Sequence, residues 1–206
     1  SCLEEEALTG ISVLESQGGY IETPGFEPGS RYMPFSSQLD FLGNPIPYWY
    51  YVSANNIQTE QVPTKTEMEE QIANYVEIKA RNCDFSSYND QGYEIIQGEP
   101  KASVTIKDNE VEINIDMDFT INKESDSSSF KSHKIIIQSS LGELYSSPLK
   151  VSDKEQNEMF LENYGVDSLR LYAPVEGVEL SCSPLVWNAD SVFDDIQKAI
   201  EANTLA

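Results

Sequence analysis

The chain is 206 residues long, 39% hydrophobic and 10% aromatic, enough for one substantial core with extensions and too apolar for a disordered chain. It carries 35 acidic against 13 basic residues, for a net charge of −22 and a pI near 4.1. Such a surface repels phosphates and anionic lipid, so no nucleic acid and no bare membrane surface is expected as a partner.

A charge of this size is tolerated in high salt, which screens it, or where divalent cations such as calcium sit among the carboxylates; it also serves plain solubility. Three cysteines, Cys2, Cys83 and Cys182, lie far apart with no CxxC pair, and there is one histidine, so the close spacing of zinc ligands is missing. A Cys2–Cys83 disulfide would pin the first predicted helix to the body, in keeping with an oxidising, extracellular or cell-surface address. The pairing stays open at this point. Cys182 is left to pair with a missing segment, with another subunit or with nothing.

The first predicted element is a helix over 3–16, with Leu3, Ala7, Ile11 and Leu14 along one stripe and glutamates in its first turn. It is stopped by Gly18-Gly19. Residues 20–63 show no clear periodicity, hold more than half of the prolines and are dense in aromatics, so they read as a binding loop or a wrapping arm. A second helix opens at Thr64 or Thr66 and runs to about Arg81, with Met68, Ile72, Tyr75 and Val76 on its apolar face.

Strands are expected at 93–96, 102–107, 110–121 and 134–138, the middle pair joined at Asp108-Asn109. The clearest pattern is in 110–121, where Val111, Ile113, Ile115, Met117, Phe119 and Ile121 alternate with polar residues. That alternation predicts an antiparallel sheet with one buried face and one acidic, solvated face. Residues 122–132 read as a polar loop, and Asp153 as the cap of a helix through Tyr164 closed by Gly165. Short strands at Leu169–Tyr172 and Val178–Cys182 and a last helix at Asp190–Asn203 complete the reading.

The fold expected is therefore α+β: an antiparallel sheet of about four to six strands with amphipathic helices on one face, plus a long Pro/Gly/aromatic-rich arm. The organisation expected is a helix at 1–17 continuing from a lost membrane anchor, the arm at 18–63, and an α+β domain at 64–206. No apolar stretch approaches the roughly 20 residues of a membrane span.

Tyr48, Trp49, Tyr50 and Tyr51 are the candidate binding or interaction residues. In an extended backbone Tyr48 and Tyr50 take one side and Trp49 and Tyr51 the other, so the run is either buried on both faces or offered to a partner. For calcium the candidates are Asp116 and Asp118 on one strand face, Asp84 and Asp90 after the second helix, and more weakly Glu124 with Asp126; a solvated acidic face is the plainer reading. Otherwise no cofactor is expected. No feature directs His133 to a nucleophile, and GxGxxG, GxxxxGK[ST], HExxH and GxSxG are all missing. No Asn-x-Ser/Thr site occurs.

Three patches in this order, Gln17-Gly-Gly-Tyr-Ile21, Pro47-Tyr-Trp-Tyr-Tyr51 with Met68-Glu-x-x-Ile72 and Tyr75-Val76, and Cys182-Ser-Pro-Leu-Val-Trp187, resemble uncharacterised archaeal proteins that have one amino-terminal membrane helix and a large exported domain. The resemblance spans most of the chain and implies an exported, membrane-tethered protein, with no activity attached.

Three functions follow as expectations. The first is a cell-surface structural or adhesive protein that self-associates into a filament or coat, or binds other surface proteins, without enzymatic activity. The second is a ligand-binding or sensing ectodomain for a carbohydrate, peptide or solute. The third is a hydrolase built on a carboxylate pair.

Overall fold

The computed structural model describes residues 2–32, 34–172 and 188–204. They form two compact units, residues 1–144 and 145–206, with the division falling inside a helix. In chain order the first unit holds α1 (Cys2–Ser16), β1 (Gln38–Phe41), β2 (Asn44–Pro47), β3 (Tyr50–Val52), β4 (Gln58–Glu60), α2 (Lys65–Ala80), α3 (Ser86–Asn89), β5 (Glu94–Gln97), β6 (Lys101–Ile106), β7 (Glu110–Lys123) and β8 (Asp126–Gln138). Helix α4 (Leu141–Glu158) crosses the division, and α5 (Phe160–Tyr172) and α6 (Ala189–Thr204) follow it. The fold is α+β with antiparallel sheets.

Strand β7 is the spine of a four-stranded sheet. On one side it pairs with β6 along Val111–Asp116 and with β5 along Phe119–Asn122, and on the other with β8. Its alternation works as the sequence predicts: Val111, Ile113, Ile115 and Met117 are buried while Asp116 and Asp118 are exposed. Helix α2 packs along β6 and against α1, and α1 reaches β8, so two helices cover the apolar face.

Thr64 caps α2 in a capping box, accepting from Glu67 N while the Glu67 carboxylate accepts from Thr64 N. Met68, Ile72, Val76 and Ala80 then form its buried stripe. Helix α1 supplies Ala7, Ile11 and Leu14 and lies close enough that a Cβ at Gly10 would sit 2.7 Å from the Tyr75 ring. The Cys2–Cys83 disulfide, 81 residues apart in sequence, ties the start of α1 to the end of α2.

The outer edge of β6 is protected by carboxylates rather than by another strand. Glu77 accepts from Ala102 N at 2.8 Å and Glu69 from Ile106 N at 2.9 Å, so two α2 side chains stand where a neighbouring strand's carbonyls would.

Several elements differ from the sequence reading. Residues 38–60 contain two hairpins, β1–β2 and β3–β4, where no regular structure was expected; their strands are too short for a periodic signal. Residues 122–132 are not a loop, because β7 and β8 pair out to Lys123↔Asp126 around the two-residue turn Glu124-Ser125. Serines on an exposed ladder read as loop by composition.

Asp153 lies inside α4 rather than at a cap. The break comes at Met159, with φ +47°, and Glu155 rather than Asp153 accepts from Leu161 N to start α5, leaving Gly165 inside that helix. Leu169–Tyr172 belongs to α5 and is not a strand; a short apolar run fits either period. The strand expected at Val178–Cys182 lies outside the described residues, as does Cys182. In the second unit α5 packs on α6, and Tyr164 donates its hydroxyl to Ala199 O at 3.1 Å.

Two stability predictions follow from this architecture. Glu77→Ala leaves the Ala102 amide without its charged acceptor and should lower the unfolding free energy by about 1.5–3 kcal/mol in urea melts, with Glu77→Gln costing less; equal midpoints for all three proteins would mean the β6 edge needs no such acceptor. Reducing Cys2–Cys83 should cost about 2–5 kcal/mol, since the bridge closes a long loop, and an unchanged melt under reductant would contradict the stapling role.

Candidate interaction site

The arm between α1 and α2 is held by a small polar hub. Ser37, only 2% exposed, donates its amide to Glu27 O and accepts from Glu27 N through Oγ, both at 2.9 Å. Its carbonyl takes Tyr48 N and Gln61 Nε2, each at 3.0 Å. Gln61 also donates Nε2 to Tyr48 O at 2.7 Å and its backbone N–H to Trp49 O at 2.8 Å, and its own carbonyl accepts the Tyr20 hydroxyl at 2.7 Å.

Two further bonds tie the arm to the helices. Trp49 Nε1 donates to Gly18 O at 2.9 Å, and Gln71 on α2 accepts from the amides of Ile21 and Glu22. The arm is therefore a fixed surface, although seven of its large apolar side chains are exposed.

The aromatic run does not alternate across two faces. A bend at Trp49, between β2 and β3, turns the indole toward Gly18 and brings Tyr48, Tyr50 and Tyr51 together with Phe35 and Val52 around one open groove of about 340 Å³. Tyr51 forms its buried floor and Phe35 an exposed wall. Elsewhere in the arm, Phe26, Tyr32, Leu39, Phe41, Leu42 and Ile57 are also exposed. The segment 23–59 carries only three charges, Glu27, Arg31 and Asp40, in a chain of net charge −22.

The β1–β2 hairpin turns at Leu42-Gly43, both with positive φ (+54° and +87°), the geometry of a primed two-residue turn. The Asp40 carboxylate accepts from Gly43 N at 2.9 Å. Glycine suits its position, but a leucine there costs roughly 1–2 kcal/mol relative to the right-handed region, and Leu42 is 92% exposed, so no packing within the chain repays it. Sequence reasoning singled out the tyrosines and missed Leu42, Phe35, Ser37 and Gln61; the Gly43-Asn44-Pro45 turn signal was the clue to the hairpin.

The other candidates scatter. Asp84 is engaged by the amide and hydroxyl of Ser86, which hold its carboxyl below the usual range. Asp118 pairs with Lys131 at 3.5 Å, and Asp116 and Asp90 are exposed. Glu124 sits in the β7–β8 turn and Asp126 opens β8. Among the described residues no three His, Cys, Asp or Glu side chains gather as a metal site.

His133 faces Ile115 across the β7–β8 ladder, edge-on to Phe119, beside a cavity of about 230 Å³ next to the disulfide. Its Nε2 is buried without a hydrogen-bond partner. A cavity of about 370 Å³ lies beyond the Phe85–Phe119 pair, lined by Tyr88, Tyr93 and Ile121 among others. Among the described residues no carboxylate lines any of these three cavities. Glu155 and Glu162 do meet, in the second unit: the hydrogen bond between them raises Glu155 and lowers Glu162, both at the surface.

On the outer sheet face Glu112 accepts from Lys134 at 2.8 Å and Lys107 at 3.0 Å. No family model, curated protein or solved structure matches this chain.

The hydrogen bonds from Lys134, Lys107 and Asn114 lower the Glu112 pKa from 4.5 to about 2. A depressed folded-state pKa makes its contribution to stability complete above the ordinary carboxylate range and lost as pH falls toward 2. Thermal melts of wild type and Glu112→Gln should accordingly differ at neutral pH and converge by about pH 2; a gap independent of pH would rule out the ion-pair origin.

Proposed function

We propose that this protein is an extracellular or cell-surface structural or adhesive protein that works by contact, and that its aromatic arm is the surface through which copies associate. The observation that carries the reading is the arm itself: a hydrogen-bonded, nearly uncharged platform presenting seven large apolar side chains, Phe26, Tyr32, Phe35, Leu39, Phe41, Leu42 and Ile57, to solvent. Large apolar side chains left exposed within one segment of a strongly charged protein point to an interaction site.

The charge distribution supports the same reading, because two copies of a −22 chain repel each other as wholes and a nearly uncharged segment adds little to that repulsion. The Cys2–Cys83 bridge suits an exported location. The resemblance to archaeal tethered proteins adds a membrane anchor to this proposal, while no helix among the described residues is long and apolar enough to cross a membrane.

A second reading rests on the groove. Tyrosine rings around about 340 Å³ offer stacking faces to a sugar or an extended peptide, which would make the domain a ligand-binding module.

Sedimentation or light scattering over a wide protein range, in dilute buffer, in molar salt and with millimolar calcium, separates the two. Mass per particle should rise with protein concentration and more steeply in molar salt, where the Debye length is about 3 Å. A monomer under every condition would count against association and favour the ligand-binding module.

A further inference from the structure

The arm carries both a projecting apolar tip and an apolar groove, and we propose that the Phe41-Leu42 tip of the β1–β2 hairpin of one copy inserts into the groove formed by Phe35, Tyr48, Tyr50, Tyr51 and Val52 of a second copy. This rests on the reading of the arm as a self-association surface and names the contact within it.

Three observations lead to it. First, Leu42 holds a left-handed backbone at φ +54° with its side chain 92% exposed. Asparagine or glycine fits that position with less strain, so the leucine is unfavourable both for the turn and for solubility. Phe41 beside it is exposed as well. A strained, solvent-facing apolar residue at a loop apex points to function rather than folding.

Second, a chain cannot fill its own groove with its own tip. Tyr48 follows β2 directly at the base of the hairpin, where Tyr48 N is bonded to Ser37 O. The four paired positions from Gln38↔Pro47 to Phe41↔Asn44 hold the tip away from that base, by roughly 13 Å at about 3.3 Å per residue. The contact is between copies, and a tip at one end with a groove at the other generates either a reciprocal pair or a head-to-tail series.

Third, the charges select this contact. No tip or groove residue is charged, and Asp40, next to the tip in β1, has its carboxylate turned back onto Gly43 N. An outside partner of opposite sign would be drawn to the acidic faces elsewhere on the chain, whereas a like-charged second copy meets little repulsion through this nearly uncharged segment. Addition of a strand along β2 is less suited, because Pro45 and Pro47 supply no amide hydrogens there.

The test uses Leu42→Asn, which relieves the turn and removes the apolar tip, and Tyr50→Arg, which places a charge in the groove opposite Glu60, its cross-strand partner. Expected are an unchanged or higher melting temperature for Leu42→Asn, a loss of self-association of at least tenfold for each variant alone in molar salt, and recovery of a 1:1 complex when the two are mixed, since one intact tip then meets one intact groove. If wild type associates but Leu42→Asn associates equally well, the tip-in-groove contact is wrong while the self-association reading stands. If wild type never associates, both fall. Binding of wild type to neutral phosphatidylcholine vesicles, lost in Leu42→Asn, with no association between copies, would instead make the tip a membrane probe and overturn the proposal.

Discussion

Everything in the first unit depends on the alternation of β7. Its apolar positions, Val111, Ile113, Ile115 and Met117, need cover from water, and the two helices that provide it are fixed by that need. Helix α2 lies over β6 and donates two glutamates to the β6 edge; α1 braces α2 through the Gly10–Tyr75 approach and reaches β8. The disulfide then closes the far end of the helix pair. Without the period-two pattern there would be no face for either helix to cover.

The arm is positioned by the same helices. It leaves α1 at Gly18, whose carbonyl receives the Trp49 indole, and returns to α2 at Thr64. Between those anchors the chain has little core of its own, and Ser37 and Gln61 substitute hydrogen bonds for packing. Phe26, Tyr32, Phe35, Leu39, Phe41, Leu42 and Ile57 are left facing solvent. The outer sheet face behaves oppositely: Lys107, Lys131 and Lys134 answer its carboxylates, so that face is charged yet locally balanced.

What the sequence revealed divides along physical lines. Long periodic segments were legible: α1, α2, β7 and α6 lie where periodicity places them, and the two cysteines flanking the helix pair do bond. Short strands were not, because three or four residues cannot establish a period, and the serine-rich start of β8 has a loop's composition but is held by its ladder with β7. The Met159 break was hidden because a carboxylate four residues earlier, Glu155, caps α5 from inside α4. In the candidate site the tyrosines were visible as a cluster, yet their convergence on one groove depends on the bend at Trp49, and the exposure of Leu42 depends on a hairpin that no periodicity announces.

The central claim is that copies of this chain meet through the neutral aromatic arm and not through the sheet. Amide hydrogen exchange compared between dilute and concentrated protein in molar salt tests it most directly, because it reports each segment separately. The expected result is added protection confined to Phe41–Asn44 and Tyr48–Val52, with the β7–β8 ladder unchanged. Protection that appears on the β8 edge, or on α5 and α6, while the arm exchanges equally fast at both concentrations would contradict it.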